Sequence, residues 1–306
     1  MSLSLDGRVA IVTGSAHGLG RCHAINLAKQ GARVVVNDIG ADDMGLGSDA
    51  TPAQQVVDEI KAAGGEATAH YGDIADWNAS KALVETAIET YGSLDILINN
   101  AGFTRDATIL KMTEQDFDDV VRVHLKGHFC PSKWAMIHWR EESKKAGGPI
   151  YGRLISTASE SWLFGTPGQP NYAPAKAGVV SLTMGLAQLG ARWGVTANVI
   201  MPRARTRMTL KGQMGAMFQK PEEGFDNFDP EHSSPLFVYL ATPAAAHISG
   251  ELLLIWGRST SVWKRPEPYV VFDTEDVWTV EELHRHYGPH FEKREPVTDG
   301  FTVRAG

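Results

Sequence analysis

Cysteine is scarce in this chain: only Cys22 and Cys130 occur among 306 residues, and they lie far apart. This excludes a fold held together by disulfides and fits a reducing compartment. Long apolar runs are also missing, since no stretch approaches the ~20 residues that a membrane span needs. The first residues lack the basic and apolar segments of a secretory signal. We therefore expect a cytoplasmic protein without a membrane partner.

An excess of positive charge is absent as well, because the formal net charge is −7 at pH 7. The chain as a whole gives no electrostatic reason to expect nucleic acid as a partner. Its hydrophobic share of 43% is sufficient for a large core and argues against disorder. The histidines at 284, 286 and 290 fit no standard metal-binding motif, so we expect no metal site.

Short β-branched runs alternate with longer amphipathic segments, which is typical of a parallel sheet covered by helices on both faces. The pattern predicts seven strands, at Val9–Thr13, Arg33–Asn37, Thr68–Tyr71, Leu94–Asn99, Arg153–Ser156, Val195–Ile200 and Leu252–Trp256. Helices are predicted at Gly18–Gln30, Ala53–Ala63, Asn78–Tyr91, Thr113–Lys145 and Asn171–Trp193. Right-handed crossovers then give a single doubly wound, Rossmann-like α/β domain over residues 1–257.

Three segments interrupt this alternation. Gly40–Pro52 is rich in glycine and aspartate and is interpreted as a surface loop. Residues 203–235 have weak periodicity, and loops of this length are usually lids or binding elements, so we interpret them as a substrate loop. Residues 258–306 are interpreted as a C-terminal extension. Within the long fourth helix, Pro131 predicts a kink or a division.

A glycine-rich turn, Thr13–Gly20, joins the first strand to the first helix. Its glycines let the backbone approach a pyrophosphate, and the helix N-terminus behind them offers free N–H groups. Asp38 ends the second strand, where a carboxylate can accept hydrogen bonds from an adenosine ribose and repels a 2′-phosphate. The pattern therefore predicts NAD as the cofactor. Arg21 and the basic residues at 203–207 keep NADP open as the less favoured alternative.

Tyr172 and Lys176 are four residues apart on a predicted helix, so their side chains lie on the same face, one turn apart. An unperturbed phenol titrates near ~10, which is too high for efficient base chemistry at neutral pH. A cation held nearby favours the phenolate and lowers the pKa. We therefore predict Tyr172 as an acid–base group of the site.

Three ordered motifs, Thr13–Gly20, Asn99–Gly102 and Tyr172–Lys176, together resemble the short-chain dehydrogenase/reductase family. The likeness covers residues 5–257. It implies an enzyme that interconverts an alcohol and a ketone with a nicotinamide cofactor. It also implies a seven-stranded Rossmann-like domain and a homo-oligomer, either a tetramer or a dimer.

Shorter segments resemble one subgroup of that family, the (3R)-hydroxyacyl-CoA dehydrogenases that include 17β-hydroxysteroid dehydrogenase type 4. These segments are Val36–Gly40, Val123–Gly127 and Arg207–Thr209. The subgroup implies a small hydroxy or keto substrate, either CoA-linked or steroid-derived. The basic residues Arg203, Arg205, Arg207 and Lys211 either contact CoA phosphates or form a solvated loop.

Two other functions are weighed against this one. An NADPH-dependent 3-oxoacyl reductase of lipid synthesis would share the fold, but Asp38 disfavours it. A non-catalytic dinucleotide sensor would share the cofactor site, but the complete set of Ser159, Tyr172 and Lys176 disfavours that reading.

The family resemblance also implies roles around Tyr172. Ser159 would hold the substrate oxygen, and Lys176 would hydrogen-bond the nicotinamide ribose. His124 stands where the family usually has asparagine. We expect it to line a proton relay or to buttress the site, with a buried packing histidine as the alternative.

Cofactor contacts follow from the same resemblance. The implied residues are Gly14, Ala16, His17, Gly18, Leu19, Asp38, Asp73, Ile74, Asn99, Ala101, Gly102, Tyr172, Lys176, Pro202 and Thr206. The chain departs from the family at Pro202-Arg203, where Pro-Gly is usual, so the local backbone path is left open.

Overall fold

The computed structural model describes residues 2–42, 44–210, 215–275 and 277–292. The chain divides into two compact units, of which the first ends at Trp263 and the second begins at Lys264. The strand Ser259–Trp263, which follows the expected domain boundary at residue 257, belongs to the first unit. Both cysteines are buried and free.

The first unit is built around one sheet. Its strands are β1 (Val9–Thr13), β2 (Arg33–Asn37), β3 (Glu66–His70), β4 (Ile96–Asn99), β5 (Gly152–Thr157), β6 (Val195–Pro202), β7 (Leu252–Trp256) and β8 (Ser259–Trp263). They lie in the order β3-β2-β1-β4-β5-β6-β7-β8. The first seven pair in parallel, which confirms the doubly wound α/β prediction. The unpredicted β8 pairs antiparallel with β7, so the described sheet has eight strands.

Helices of the first unit surround the sheet. They are α1 (Gly18–Lys29), α2 (Thr51–Ala62), α3 (Trp77–Tyr91), α4 (Glu114–Val121), α5 (Gly127–Ala146), α6 (Ser161–Phe164), α7 (Tyr172–Gly190) and α8 (Ser234–Ala241). The second unit has a helix of its own, α9 (Val280–Phe291). Short 3-10 turns occur at Ala191–Trp193, Gly215–Phe218, Pro230–His232 and Pro243–Ala245.

The predicted long fourth helix is divided, but not at the proline. It begins with the expected capping box of Thr113 and Asp116, and a π-turn at Arg122–Lys126 separates α4 from α5. Pro131 lies inside α5, just after that turn. A missing N–H costs little where the regular ladder is already interrupted upstream, so the helix continues through the proline.

Alternating strand residues supply two apolar layers, as the period of two in a strand requires. Val12 of β1 faces α1, α2 and α8, in a core that includes Phe237. Its neighbour Ile11 faces the opposite layer with α3, α5 and α7, in a core that includes Trp139. The sheet is therefore covered on both faces.

The strand order reverses between β1 and β4, which lie side by side at the centre of the sheet. Loops that leave two such strands diverge, and they open a crevice at the carboxyl ends. Ligands of open α/β sheets bind at such a point. Thr13 ends β1 and Asn99 ends β4, so both predicted motifs meet at this crevice.

The second unit contains α9, which begins with a capping box of Thr279 and Glu282. His286 and His290 pack against the Phe272 ring. In the described ranges, no three potential metal-ligating side chains come together. No helix among the described residues combines the length and the apolar character needed to cross a bilayer.

Candidate active site

The glycine-rich turn lies directly against the loop that follows β4. Gly14 has a φ of 63°, and a Cβ placed on it would lie 2.5 Å from the Cα of Ala101. Gly18 has a φ of 50° at the start of α1. Only glycine adopts such angles readily, and only a residue without a side chain permits the close approach at Gly14. The predicted residues Gly14, Gly18 and Ala101 are therefore brought together.

Asn100 holds these two loops in place. Its side-chain amide donates hydrogen bonds to the carbonyls of Thr13 and Gly14, both at 3.1 Å. In return, the Thr13 hydroxyl oxygen accepts from the N–H groups of Asn100 and Ala101, at 2.9 and 3.1 Å. The sequence analysis did not assign Asn100 to the site, although its place between Asn99 and Ala101 in the motif was a usable signal.

The N-terminus of α1 fits an anionic group. His17 occupies the N-cap position with an extended backbone, and its side chain makes no capping hydrogen bond. The first N–H groups of a helix have no intrahelical partner, so those of Gly18 and Leu19 can donate to a phosphate. Thr206 lies over this turn, because a Cβ on Gly18 would be 3.6 Å from its Cγ2. Burial and the Arg207 charge lower the pKa of His17.

Asp38 is fastened to the same turn. One carboxylate oxygen accepts a hydrogen bond from the Ala16 N–H at 2.9 Å, and the other accepts from the Gly40 N–H at 2.8 Å. Each oxygen retains a further acceptor position. The half-buried carboxylate is thus fixed at the end of β2, where a ribose would lie in the predicted arrangement.

The two residues expected near adenine, Asp73 and Ile74, already have partners within the protein. Asp73 accepts from the Arg122 guanidinium at 2.6 Å and from the Ala75 N–H at 2.8 Å, while Ile74 is buried. Their contacts with a cofactor remain a prediction. The same holds for Asn99, whose side-chain amide is buried and donates to the Ser132 hydroxyl at 2.9 Å.

The backbone after Pro202 takes its path from a buried ion pair. The Arg203 guanidinium donates two hydrogen bonds of 2.6 Å to the Glu160 carboxylate, and it lies 4.3 Å from the centre of the Trp256 ring. Glu160 follows Ser159 directly. Arg203 stands where the family usually has glycine. Its ion pair with Glu160 therefore connects the loop after β6 to the segment that carries Ser159.

The basic residues of the 203–211 segment do not form one solvated patch. Arg203 is paired with Glu160, and Arg205 is paired with Asp226 at 3.0 Å. Arg207 is exposed, and Lys211 lies outside the described residues. Of this set, Arg207 is the described residue with an exposed side chain, and its charge acts on His17 at the start of α1.

Tyr172 is the first residue of α7, and Asn171 fixes that helix end. The Asn171 side-chain oxygen accepts from the Tyr172 N–H at 2.7 Å. Its amide donates to the carbonyls of Arg105 and Asp116, at 3.1 and 3.0 Å. The position of the phenol therefore depends on an asparagine that the sequence analysis did not single out.

Ser159 and Lys176 both lie near Tyr172. The Ser159 oxygen accepts from the Ser161 hydroxyl at 3.0 Å, and Ser159 stabilises the charged form of Tyr172. The Lys176 Nζ is 5.6 Å from the centre of the Tyr172 ring and donates to the Thr157 carbonyl at 2.6 Å. The structure brings the three predicted residues together at the carboxyl end of β5.

The pKa of the phenol differs from the sequence expectation. Burial raises the pKa of Tyr172 to about 12, with Ser159 opposing this effect, and burial lowers the pKa of Lys176 to about 7. In the protein alone, burial therefore outweighs the predicted lowering of the Tyr172 pKa by Lys176. The spacing of four residues placed the two groups on one face, but the amine is directed at the Thr157 carbonyl. Burial penalises the charged form of each group.

His124 lies in the π-turn and packs against the Tyr172 ring. Its ring is edge-on to Tyr172, with centroids 4.9 Å apart, and its Nε2 is 2.7 Å from the Phe103 carbonyl oxygen. A Cβ on Gly102 would lie 2.1 Å from this imidazole. Burial, and then the Lys176 charge, hold the pKa of His124 well below its usual value. These contacts support the buttressing role, and the relay role remains a prediction.

An apolar cleft of about 430 Å³ adjoins the first turn of α7. Its lining is mostly apolar and rich in proline: Ile109, Trp162, Gly165, Thr166, Pro167, Gln169, Pro170, Ala173, Pro174 and Ala177. These residues were not singled out from the sequence, and the substrate-loop role of residues 203–235 remains a prediction. The run Pro167-Gly-Gln-Pro170 just before the catalytic helix was the signal for this wall.

The crevice at β1 and β4, the glycine-rich turn and the buried tyrosine–lysine pair define a dinucleotide-dependent dehydrogenase. Residues 8–213 match the model of the short chain dehydrogenase family, and the chain belongs to this family. This confirms the resemblance stated from the motifs. The protein is an oxidoreductase that acts on CH–OH groups, and its family implies a nicotinamide dinucleotide as cofactor.

Several characterised relatives are similar. A hydroxyacyl-CoA dehydrogenase, ChsB1, of Mycobacterium tuberculosis is 41% identical over 95% of this chain and 91% of its own length. Peroxisomal multifunctional enzyme type 2 of Mus musculus is 35% identical over 90% of this chain, which spans only 37% of that enzyme. A crystal structure of a short chain dehydrogenase from Mycobacterium avium superposes with a TM-score of 0.84, at 41% identity and over 98% and 99% of the two chains.

Proposed function

We propose that the protein interconverts a 3-hydroxyacyl-CoA and the corresponding 3-oxoacyl-CoA with NAD(H). The observation that carries this proposal is the buried Tyr172–Lys176 pair, which lies next to an apolar cleft in a chain with a glycine-rich turn at the switch point of its sheet. The name of the relative ChsB1, which the chain matches over 95% of its length, supports an acyl-CoA as the substrate.

The chemistry follows from the side chains of Ser159, Tyr172 and Lys176, which lie next to the cleft. Ser159 donates a hydrogen bond to the substrate oxygen and orients the hydroxyl toward Tyr172. Tyr172 removes the hydroxyl proton in oxidation and returns it in reduction. When bound, the nicotinamide dinucleotide exchanges the hydride with the substrate carbon, and its oxidised ring adds a positive charge that favours the phenolate. Lys176 supplies the second positive charge when its amine is protonated.

The cleft suits an apolar acyl group. Trp162 and the prolines at 167, 170 and 174 form a stiff wall beside Tyr172. The volume of the cleft, about 430 Å³, falls in the range typical of ligand pockets. The acyl chain would lie against this wall, and the CoA phosphates would lie outside it, within reach of Arg207. A steroid-derived acyl part is compatible with the same wall.

A panel of 3-hydroxyacyl-CoAs and hydroxysteroids, assayed with NAD, tests the substrate. We expect turnover of the acyl-CoAs. In the variant Ala177→Phe, the added ring fills the cleft, and we expect kcat/KM for long acyl chains to fall roughly 10- to 100-fold, with short chains less affected. The exposed Ala62→Phe at the end of α2 is the matched control. No turnover of either class would remove the substrate proposal and leave the family membership intact.

Asp38 sets the choice between NAD and NADP in this proposal. Its carboxylate repels a 2′-phosphate, so we expect the wild type to prefer NAD. The variant Asp38→Asn removes the negative charge. Its amide has one acceptor oxygen, so only one of the Ala16 and Gly40 N–H groups keeps its hydrogen bond. The ratio of kcat/KM values for NAD and NADP should fall by one to two orders of magnitude, or roughly 1–3 kcal/mol. A wild type that prefers NADP would instead favour the 3-oxoacyl reductase.

A further inference from the structure

A second buried histidine lies near Lys176 and has no part in the site described above. His128 is in the first turn of α5, one turn after His124, and its relative exposure is 0%. Neither of its ring nitrogens makes a hydrogen bond with the residues that the structure describes. The carbonyls of Thr157 and His124 approach the ring and favour its protonated form, but they do not meet ordinary hydrogen-bond geometry.

Several other polar atoms around this histidine share the property. Asn99 Oδ1, His124 Nδ1 and Thr157 Oγ1 are buried and likewise make no hydrogen bond within the described parts of the chain. Buried polar atoms in folded proteins nearly always have a partner, because an unpaired one costs about 1–3 kcal/mol. A group of them at one place indicates a polar site, not a packed apolar core.

The group is centred on Lys176. The Lys176 amine donates to the Thr157 carbonyl at 2.6 Å, and the Lys176 charge acts on both His124 and His128. Asn99 is linked to α5, the helix of His128. Its amide donates to the Ser132 hydroxyl, which in turn donates to the His128 carbonyl at 2.6 Å. The amine thus lies between the Tyr172 ring, 5.6 Å away, and the Thr157 carbonyl of β5, and its charge reaches His128 on α5.

We propose that His128 is a positioning residue for Lys176, and that one of its ring nitrogens accepts a hydrogen bond from a water molecule that the Lys176 ammonium in turn donates to. An ammonium has three donors, and the Thr157 carbonyl accepts one of them. A neutral imidazole offers an acceptor nitrogen. This inference rests on the proposed function, because Lys176 matters only if its charge assists Tyr172.

The ring is held in the neutral form that such an acceptor requires. Burial first, then the charges of Lys176 on α7 and His124 on the π-turn, keep the pKa of His128 well below its usual value. These are the titratable groups that act on His128. Because a hydrogen bond to the ammonium favours the charged amine, its removal lowers the pKa of Lys176 further below about 7.

The direct test is the titration of Lys176 in the cofactor-free protein, followed by NMR of the isotope-labelled amine. We expect His128→Phe to move the Lys176 midpoint to lower pH by about one unit or more, and His128→Gln, which keeps an acceptor, to restore it. His23→Phe is the matched control, because His23 is also fully buried with unpartnered ring nitrogens but stacks on Phe237 in another layer. If His128→Phe does not fold, His128→Leu replaces it.

The same variants have a second readout in turnover. The limb on which kcat falls as the pH rises should move to lower pH in His128→Phe and stay in place in His23→Phe. An unchanged Lys176 midpoint in His128→Phe and His128→Leu would overturn the inference. Because this midpoint is measured without substrate, a shifted midpoint in a protein that turns over no 3-hydroxyacyl-CoA would refute the proposed substrate and support the role of His128.

Discussion

Tyr172→Phe is expected to lower kcat by a factor of about 10²–10⁴, which is the usual contribution of a positioned acid–base group. The change removes one oxygen and keeps the ring that packs against His124. We therefore expect the fold and the dissociation constant of the cofactor to stay close to those of the wild type. The measurement is a steady-state assay with a 3-hydroxyacyl-CoA, together with a cofactor titration of the same sample.

The matched control is Tyr239→Phe, because Tyr239 is an exposed tyrosine of α8. It should leave both quantities unchanged. Turnover near the wild-type level in Tyr172→Phe would show that another group handles the proton. Loss of cofactor binding together with turnover would show instead that the ring itself had moved.

Lys176→Met is expected to separate activity from stability. We expect kcat to fall by about two orders of magnitude or more, because the charge that assists Tyr172 is lost. The free energy of unfolding should not fall in parallel. Since one pKa unit is worth about 1.4 kcal/mol, the drop of the Lys176 pKa from 10.5 to about 7 corresponds to roughly 5 kcal/mol against folding.

The sign of the pH dependence follows from this lowered pKa. Below about pH 7 the folded wild type holds a buried ammonium that is hydrated in the unfolded chain, so the cost is fully present. Between about 7 and 10.5 the folded amine is neutral while the unfolded one is still protonated, so the cost shrinks as the pH rises. The methionine variant has no such cost, and it loses the hydrogen bond to Thr157, worth about 1–3 kcal/mol.

Denaturant unfolding at several pH values measures the difference. We expect Lys176→Met to be at least as stable as the wild type near pH 6 and to lose this relative advantage toward pH 10, which follows the titration of the buried amine. The exposed Lys61→Met in α2 should show no such trend. A variant that is equally destabilised at every pH would contradict the buried, lowered pKa of Lys176.

Much of the fold could be predicted because its strands are buried on both faces. β1, β2 and β7 have the bounds that their apolar runs indicate, and the turn after β1 was recognisable from its glycines. The strand β8 escaped prediction for the opposite reason. Ser259–Trp263 is largely exposed and carries no alternation of apolar and polar residues, and it is held by pairing with β7 and by the packing of Trp263 on an apolar cluster.

The site was predictable where spacing along one helix decides it, and not where distant segments meet. Tyr172 and Lys176 could be paired from their separation, but the direction of the amine depends on the Thr157 carbonyl of another element. The ion pair of Glu160 and Arg203 joins two loops that are distant in the sequence, so no local sequence pattern predicts it. The burial that raises the pKa of Tyr172 is likewise a property of the whole fold.

In the proposed mechanism, Tyr172 controls a hydride transfer from substrate carbon to a nicotinamide dinucleotide. The most direct test of this claim uses a 3-hydroxyacyl-CoA that carries deuterium on the hydroxyl-bearing carbon, with mass spectrometry of the reduced cofactor. We predict that the wild type moves the deuterium into the cofactor and that Tyr172→Phe, with the cofactor site equally occupied, does so far more slowly. A wild type that leaves the deuterium on the substrate, or a variant that transfers it at the same rate, would contradict the claim.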